Sequence, residues 1–263
     1  MLAWRARRLA HQPGGTVEQP DRINNADDTG TDTDHASEAQ PLLAEDLLLL
    51  LFNPDDGTIG GEGTLFYVLG GAVLTELALN DQIGVEKAGL RGTLVLSVGD
   101  EAPEDEILRS AWEYARGKRR EVQGMLAAIG PSLRGQLLES LIFRGDLTRG
   151  QGKTFGFIPK TTLSLGDTGR RSTLMSRVQA VLIDGAEPDA RTAALAALVS
   201  ASGSMPTLHR EIPWETDVIN RAKALEAGDW GASAASSAVA RTMNAITINA
   251  AVAASVAANA ANN

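Results

Sequence analysis

The chain has 263 residues, room for one large domain or two small ones, and is 43% hydrophobic but only 4% aromatic, so its core must be aliphatic and alanine-rich. A formal charge of -9 argues against a generic nucleic-acid binder. With no cysteine, disulfides, thiolate catalysis and cysteine zinc sites are excluded, and the three scattered histidines, His11, His35 and His209, do not support a metal site.

The charge is uneven. Residues 1–10 hold three arginines and no acid, whereas residues 12–41 hold seven acids and one arginine. Residues 12–40 are too polar to offset ordering entropy, and residues 1–40 read as a disordered leader. Its basic start reads as a frayed tail, with a short amphipathic turn as the alternative. It has no apolar stretch of secretory type. The apolar run Leu47–Phe52 is far below the roughly 20 residues a membrane-spanning helix needs. The expectation is a cytoplasmic protein that meets a membrane only from the side.

Order is predicted from Pro41, with a helix carrying Leu42, Leu43, Leu47 and Leu50 on one face and ending in the turn Asn53–Gly57. The glycine-rich loop Gly57–Gly63 lacks the lysine-serine/threonine ending of a phosphate loop and reads as a plain connection. A small-residue helix over about 64–79 ends in Glu76-Leu77-Ala78-Leu79. Segments Ile83–Lys87 and Thr93–Val98 read as a hairpin. A helix near 104–116 follows, with Ile107, Leu108, Ala111 and Ala115 inward, Trp112 and Tyr114 partly exposed, and Arg116, Lys118, Arg119 and Arg120 at its end. That basic cluster reads as a solvated helix end, with anionic lipid as the alternative.

Pro131 is predicted to open the next helix, with Leu133, Leu137, Leu138 and Leu141 as its stripe and Gly145 beyond its end. Asp146–Thr148 and Thr154–Ile158 read as a second hairpin with its tip at Gly150–Lys153, limited by Pro159. The rest is helical: one helix through Leu174, Val178 and Leu182, one capped by Asp189, one over 213–227, and an alanine-rich tail fraying after about residue 257. The fold class is therefore mainly α, a single helical-bundle domain over 41–258 wrapped by amphipathic helices, with small β-hairpins and a frayed end at 259–263.

Glu76 on an apolar helix needs a buried partner, and with no second carboxylate or nucleophile in view it reads as structural rather than catalytic. The helix before the second hairpin is too poor in base-reading groups to act as a recognition helix. The sequence shows no nucleophile–base or metal constellation, so a non-enzymatic protein without a cofactor is expected.

Three landmarks stand in order: Leu42-Leu43-Ala44-Glu45-Asp46-Leu47; Glu76-Leu77-Ala78-Leu79 with its strand; and Leu141-Ile142-Phe143-Arg144-Gly145-Asp146-Leu147, followed by Arg177–Leu182 and Pro188–Leu195. In that order and spacing, residues 42–258 resemble the Golgi phosphoprotein family, in its bacterial branch. The resemblance implies a helical bundle with a projecting hairpin. It also implies a peripheral adaptor that binds phosphatidylinositol 4-phosphate, or a related inositol lipid, and short protein tails. In such proteins a tryptophan, an arginine before the Glu-Leu-Ala-Leu stretch and two arginines three apart hold the headgroup. Here the matching positions are Gly70 for the first arginine and Pro131 and Arg134 for the pair, with Phe66 as the nearest aromatic. Arg134 and Phe66 are thus the candidate headgroup residues, joined by Arg170 and Arg171 if these converge on them. The resemblance also implies self-association through the hairpin, with Thr148, Arg149, Lys153, Phe155 and Phe157 as candidates. The alternative is a protein-interaction scaffold that keeps the fold without the lipid pocket.

Overall fold

The computed structural model describes residues 40–88, 92–154, 158–230 and 244–247. The expected disordered leader, the frayed end and most of the alanine-rich tail lie outside the described residues. The elements are α1 (Leu43–Leu51), β1 (Phe52–Asn53), β2 (Thr58–Ile59), α2 (Leu65–Leu79), β3 (Ile83–Lys87), β4 (Thr93–Ser97), α3 (Glu106–Ala115) and β5 (Arg120–Glu121). They continue with α4 (Val122–Phe143), β6 (Leu147–Thr154), β7 (Ile158–Leu165), α5 (Arg170–Leu182), α6 (Ala190–Ala201), a 3-10 turn (Met205–Leu208) and α7 (Thr216–Glu226).

From Leu47 to Leu51 the first helix has no polar residue, and such a run is buried on every side rather than on one face. Every residue of α1 is buried, including Glu45 and Asp46. Around it pack α2, α4, α5 and α6. The alanines of α6 bury Ala193 through Val199 without a gap, and small side chains there let helices approach closely. Asp189 caps α6 as predicted, accepting from the Thr192 amide at 2.9 Å. Strands β3 and β4 form the predicted antiparallel hairpin, Ile83 opposite Ser97 and Lys87 opposite Thr93. The short β5 adds a third strand, too brief and too polar to stand out in the sequence.

Three expectations are corrected. First, α4 does not start at Pro131 but runs from Val122 through it. The proline forfeits one helical hydrogen bond, yet its neighbours are held by packing. Gly130 presses against the Phe66 backbone of α2, and Leu133 is buried in the core. Second, Trp112 is wholly buried rather than partly exposed. It lies one turn from Leu108 and Ala115 on the inward stripe of α3, and its indole donates to the Val98 carbonyl at 3.4 Å. Third, Gly150–Lys153 is not a hairpin tip but part of β6, whose register runs from Leu147 opposite Leu165 to Thr154 opposite Ile158. The connection is residues 155–157. Gly150 serves the strand because any Cβ there would stand 2.9 Å from the hydroxyl of its partner Thr162. Pro159 does not stop β7, since a two-stranded ribbon has only edges and a missing N–H can face away from the partner.

Candidate functional site

Arg134 lies one turn after Pro131 on α4 and points toward the loop that leads into α2. Its Nη2 donates to Glu62 at 2.7 Å, with both side chains about half exposed. Its Nε is buried without an acceptor. Glu62 sits between Gly61, which has a positive φ of 72°, and Gly63, beside which there is open space. The carboxylate is itself half exposed, on a loop anchored by the Thr64 amide on the Gly61 carbonyl at 2.9 Å and the Gly60 amide on the Leu51 carbonyl at 2.8 Å. Phe66 follows in the first turn of α2, half-buried, its ring 4.0 Å from that of Tyr67. Its backbone touches Gly130, so Phe66 and Arg134 occupy one seam between α2 and α4. Gly70 lies further along that seam, buried, where a Cβ would meet Leu126 at 3.2 Å. A side chain at Gly70 would therefore press on Leu126.

Arg170 and Arg171 do not join this seam, which corrects the expectation that they converge with Arg134. Adjacent on α5, they diverge into the interior. Arg170 forks onto Asp46 with Nε and Nη2 at 3.1 and 2.6 Å and pairs with Asp146 through Nη1. Arg171, 8% exposed, donates to both oxygens of Glu211 at 2.5 and 2.8 Å and to the Phe52 and Leu50 carbonyls. A buried guanidinium needs such paired charge and carbonyl acceptors to offset desolvation, so neither side chain is free to grip an external phosphate.

Arg170 belongs to a larger buried ionic hub at the start of α1. Glu76 accepts from the Leu43 amide at 2.6 Å and, through both oxygens, from Arg191 Nη1 at 2.7 and 2.9 Å. Arg191 also forks onto Asp46 and donates to the Pro41 carbonyl at 2.6 Å. Burial by itself would lower the pKa of Arg191, but the charges of Glu76 and Asp46 outweigh it and hold the pKa above its ordinary value. Glu45 accepts from the Leu42 amide at 2.7 Å, from the Ser140 hydroxyl and from Arg144. Two of the free N–H groups at the start of α1, those of Leu42 and Leu43, are thereby satisfied by carboxylates from two helices. This gives Glu76 the structural partners its position demanded. The clue missed in the sequence was Glu45-Asp46 inside a leucine run, because two acids there require cations from elsewhere in the chain.

The basic residues after α3 are also partly engaged. Arg116 lies over the Trp112 ring at 5.1 Å and Arg120 over Tyr114 at 4.2 Å, while Arg119 pairs with exposed Glu86. On β6, Arg149 pairs with Glu139 of α4 at 2.6 Å. Thr148 lies in the half of β6 next to α4, opposite Ser164. Lys153 is at the far end of β6, opposite Pro159, and Phe155 and Phe157 lie outside the described residues. Among the described residues no cluster of histidine, aspartate or glutamate could hold a metal ion. None of the described helices is long and apolar enough to cross a membrane.

A family model for Golgi phosphoprotein 3 (GPP34) matches residues 43–242. No curated protein matches the chain.

Proposed function

The chain belongs to the Golgi phosphoprotein 3 (GPP34) family, and from that premise we propose that it is a non-enzymatic adaptor that sits on the cytoplasmic face of a membrane and binds the headgroup of an anionic phospholipid. The headgroup is phosphatidylinositol 4-phosphate or a related inositol lipid. The observation that carries the reading is Arg134. It holds a half-exposed guanidinium with one engaged amine, in the α2–α4 seam that Phe66 shares. A phosphomonoester would displace Glu62 and take both the vacated amine and its neighbour, the fork geometry that guanidinium offers to phosphate.

Flotation on vesicles containing phosphatidylinositol 4-phosphate, against neutral vesicles, tests this. One charge-assisted contact is worth about 1.5–3 kcal/mol, so Arg134→Ala should weaken binding about tenfold to a hundredfold. Glu62→Gln should strengthen it, because the competing carboxylate is gone. Binding equal to that on neutral vesicles, or unchanged by Arg134→Ala, removes the lipid reading.

A second reading, a protein-interaction scaffold without a lipid pocket, is favoured by one group of observations. Arg170 and Arg171 are committed internally, and Gly70 is closed off by Leu126. Negligible flotation on both vesicle types would leave the scaffold.

We further propose that the β6–β7 ribbon mediates self-association. Its distal half carries basic residues and no acid over 150–162. Removing residues 151–161 and joining the register partners Gly150 and Thr162 by a two-residue turn should lower the mass measured by light scattering. A wild type that is already monomeric, or an unchanged mass, counts against it.

A further inference from the structure

Helix α3 is charged in opposite senses at its two ends. Residues 100–106 hold five acids and no base, and residues 114–120 hold four bases and no acid. The ten residues of α3 keep the two groups about 15 Å apart. A helix is stabilised by acids at its start and bases at its end, but each of its poles amounts to about half a charge. One acid, Asp105, supplies the cap, accepting from the Ile107 and Leu108 amides at 2.9 and 3.0 Å. The rest exceed what the helix needs. Arg109 turns back to the acidic end, where its guanidinium donates to the Pro103 and Glu104 carbonyls at 2.9 and 2.7 Å. With Arg109 counted, residues 100–109 still carry four net negative charges. At the other end Glu86 takes up Arg119 at 3.4 Å and Glu121 follows Arg120, which leaves two net positive charges. Glu101, Glu104, Glu106 and Lys118 have no ion-pair partner among the described residues.

Between its charged ends the same face is small and apolar. Ser110 is exposed at the middle of α3. Beside it a groove of about 690 Å³ runs against α4, floored by Ile107, Ala111, Ile129 and Leu133. Tyr114 stands at one end of the groove, 37% exposed, with Arg120 over its ring at 4.2 Å.

We infer that this face binds a second copy of the chain, with the two α3 helices antiparallel about a two-fold axis at Ser110 and Ala111. A two-fold axis sets one patch against itself, so the charges must match when the helix is reversed. Helix α3 meets that condition. Reversal lays residues 100–106 of each copy on residues 114–120 of the other, and the attraction is made twice. Parallel packing would set acid on acid and base on base, so the charges select the direction. Ser110 at the axis is small enough for the helices to approach closely. Tyr114 of each copy reaches the Ile107 end of the other copy's groove and carries Arg120 toward Glu106. Arg109 falls opposite Glu113 of the second copy. The contact uses neither the β6–β7 ribbon nor Arg134 and Phe66, so it does not rest on the lipid reading.

Reversing the charge at one end at a time tests this on the full chain. Glu104→Lys with Glu106→Lys makes both ends basic, and Lys118→Glu with Arg119→Glu makes both acidic. All four side chains are exposed, and circular dichroism confirms that each variant is folded. In light scattering at low salt, each variant alone should be lighter than the wild type. Their equimolar mixture should regain the wild-type mass, because opposite ends then meet at both contacts. Association through the ribbon adds equally to the variants alone and to their mixture, so it cannot mimic that regain. A second measurement needs no substitution. Raising the salt from about 0.01 M to about 1 M shortens the Debye length from roughly 30 Å to roughly 3 Å. Self-association of the wild type should weaken about tenfold or more. Variants as heavy as the wild type, a mixture no heavier than its components, or a wild-type mass that salt does not change overturns the inference.

Discussion

Replacing Arg191 by methionine is expected to destabilise the protein by about 3–5 kcal/mol, the range for removing one partner of a buried ion pair. Methionine keeps much of the volume and removes the charge. Glu76 then loses its cation and keeps only the Leu43 amide, while Asp46 keeps Arg170 but loses its second fork. The Pro41 carbonyl loses its donor as well. The penalty comes from stranding carboxylates in a dry interior rather than from the lost attraction itself. Arg191→Lys should fall between, because an ammonium carries the charge but cannot fork onto Asp46 while holding Glu76. Urea unfolding monitored by circular dichroism measures this as a lower midpoint at unchanged slope. A loss below about 1 kcal/mol, the range of exposed pairs, would show that the hub is solvated and not the anchor of α1.

Gly130→Ala should be the second large effect, and the same helix supplies its control. A Cβ at Gly130 would overlap the Phe66 carbonyl oxygen and lie 2.9 Å from the carbonyl carbon. Both atoms are backbone, so α2 and α4 must separate. Overpacking of this kind costs about 1–3 kcal/mol, which exceeds the gain of up to about 1 kcal/mol that alanine brings to a helix. Because the strain falls on Phe66, headgroup binding at the α2–α4 seam should weaken together with stability. Gly135, exposed on the same helix with nothing near its Cβ position, should respond oppositely. Gly135→Ala should stabilise by about 0.5–1 kcal/mol. In thermal unfolding the two variants should shift in opposite directions, by about 2–4 °C per kcal/mol for a chain of this size. Equal shifts of the same sign would mean that α2 and α4 are not in close contact through Gly130.

Local chemistry made much of this fold legible. The leucine-rich helix α1, the Asp189 cap of α6 and the β3–β4 hairpin are each determined by residues within a few positions of one another. Gly150 misled because a neighbour in space set its role, since it answers to Thr162 across the ribbon. Pro131 misled for the same reason, since packing against α2 carries α4 through a residue that by itself reads as a start. The candidate site was half visible. Arg134 and Phe66 share a seam that the landmarks located, but nothing near Arg170 or Arg171 in the chain reveals that both turn inward.

The sequence by itself therefore determined the class of fold, the family and the position of one candidate arginine, because helix periodicity, caps and landmark spacing are short-range properties. Only the tertiary structure decided which charges are free. Arg170 meets Asp46 across 124 positions and Arg191 meets Glu76 across 115. Such pairing follows from which helix ends the bundle brings together at the start of α1, and no local pattern encodes it. The physical reason is desolvation. Acids forced into the core by α1 and α2 must recruit cations, and each cation recruited there is lost to the surface where a ligand would meet it.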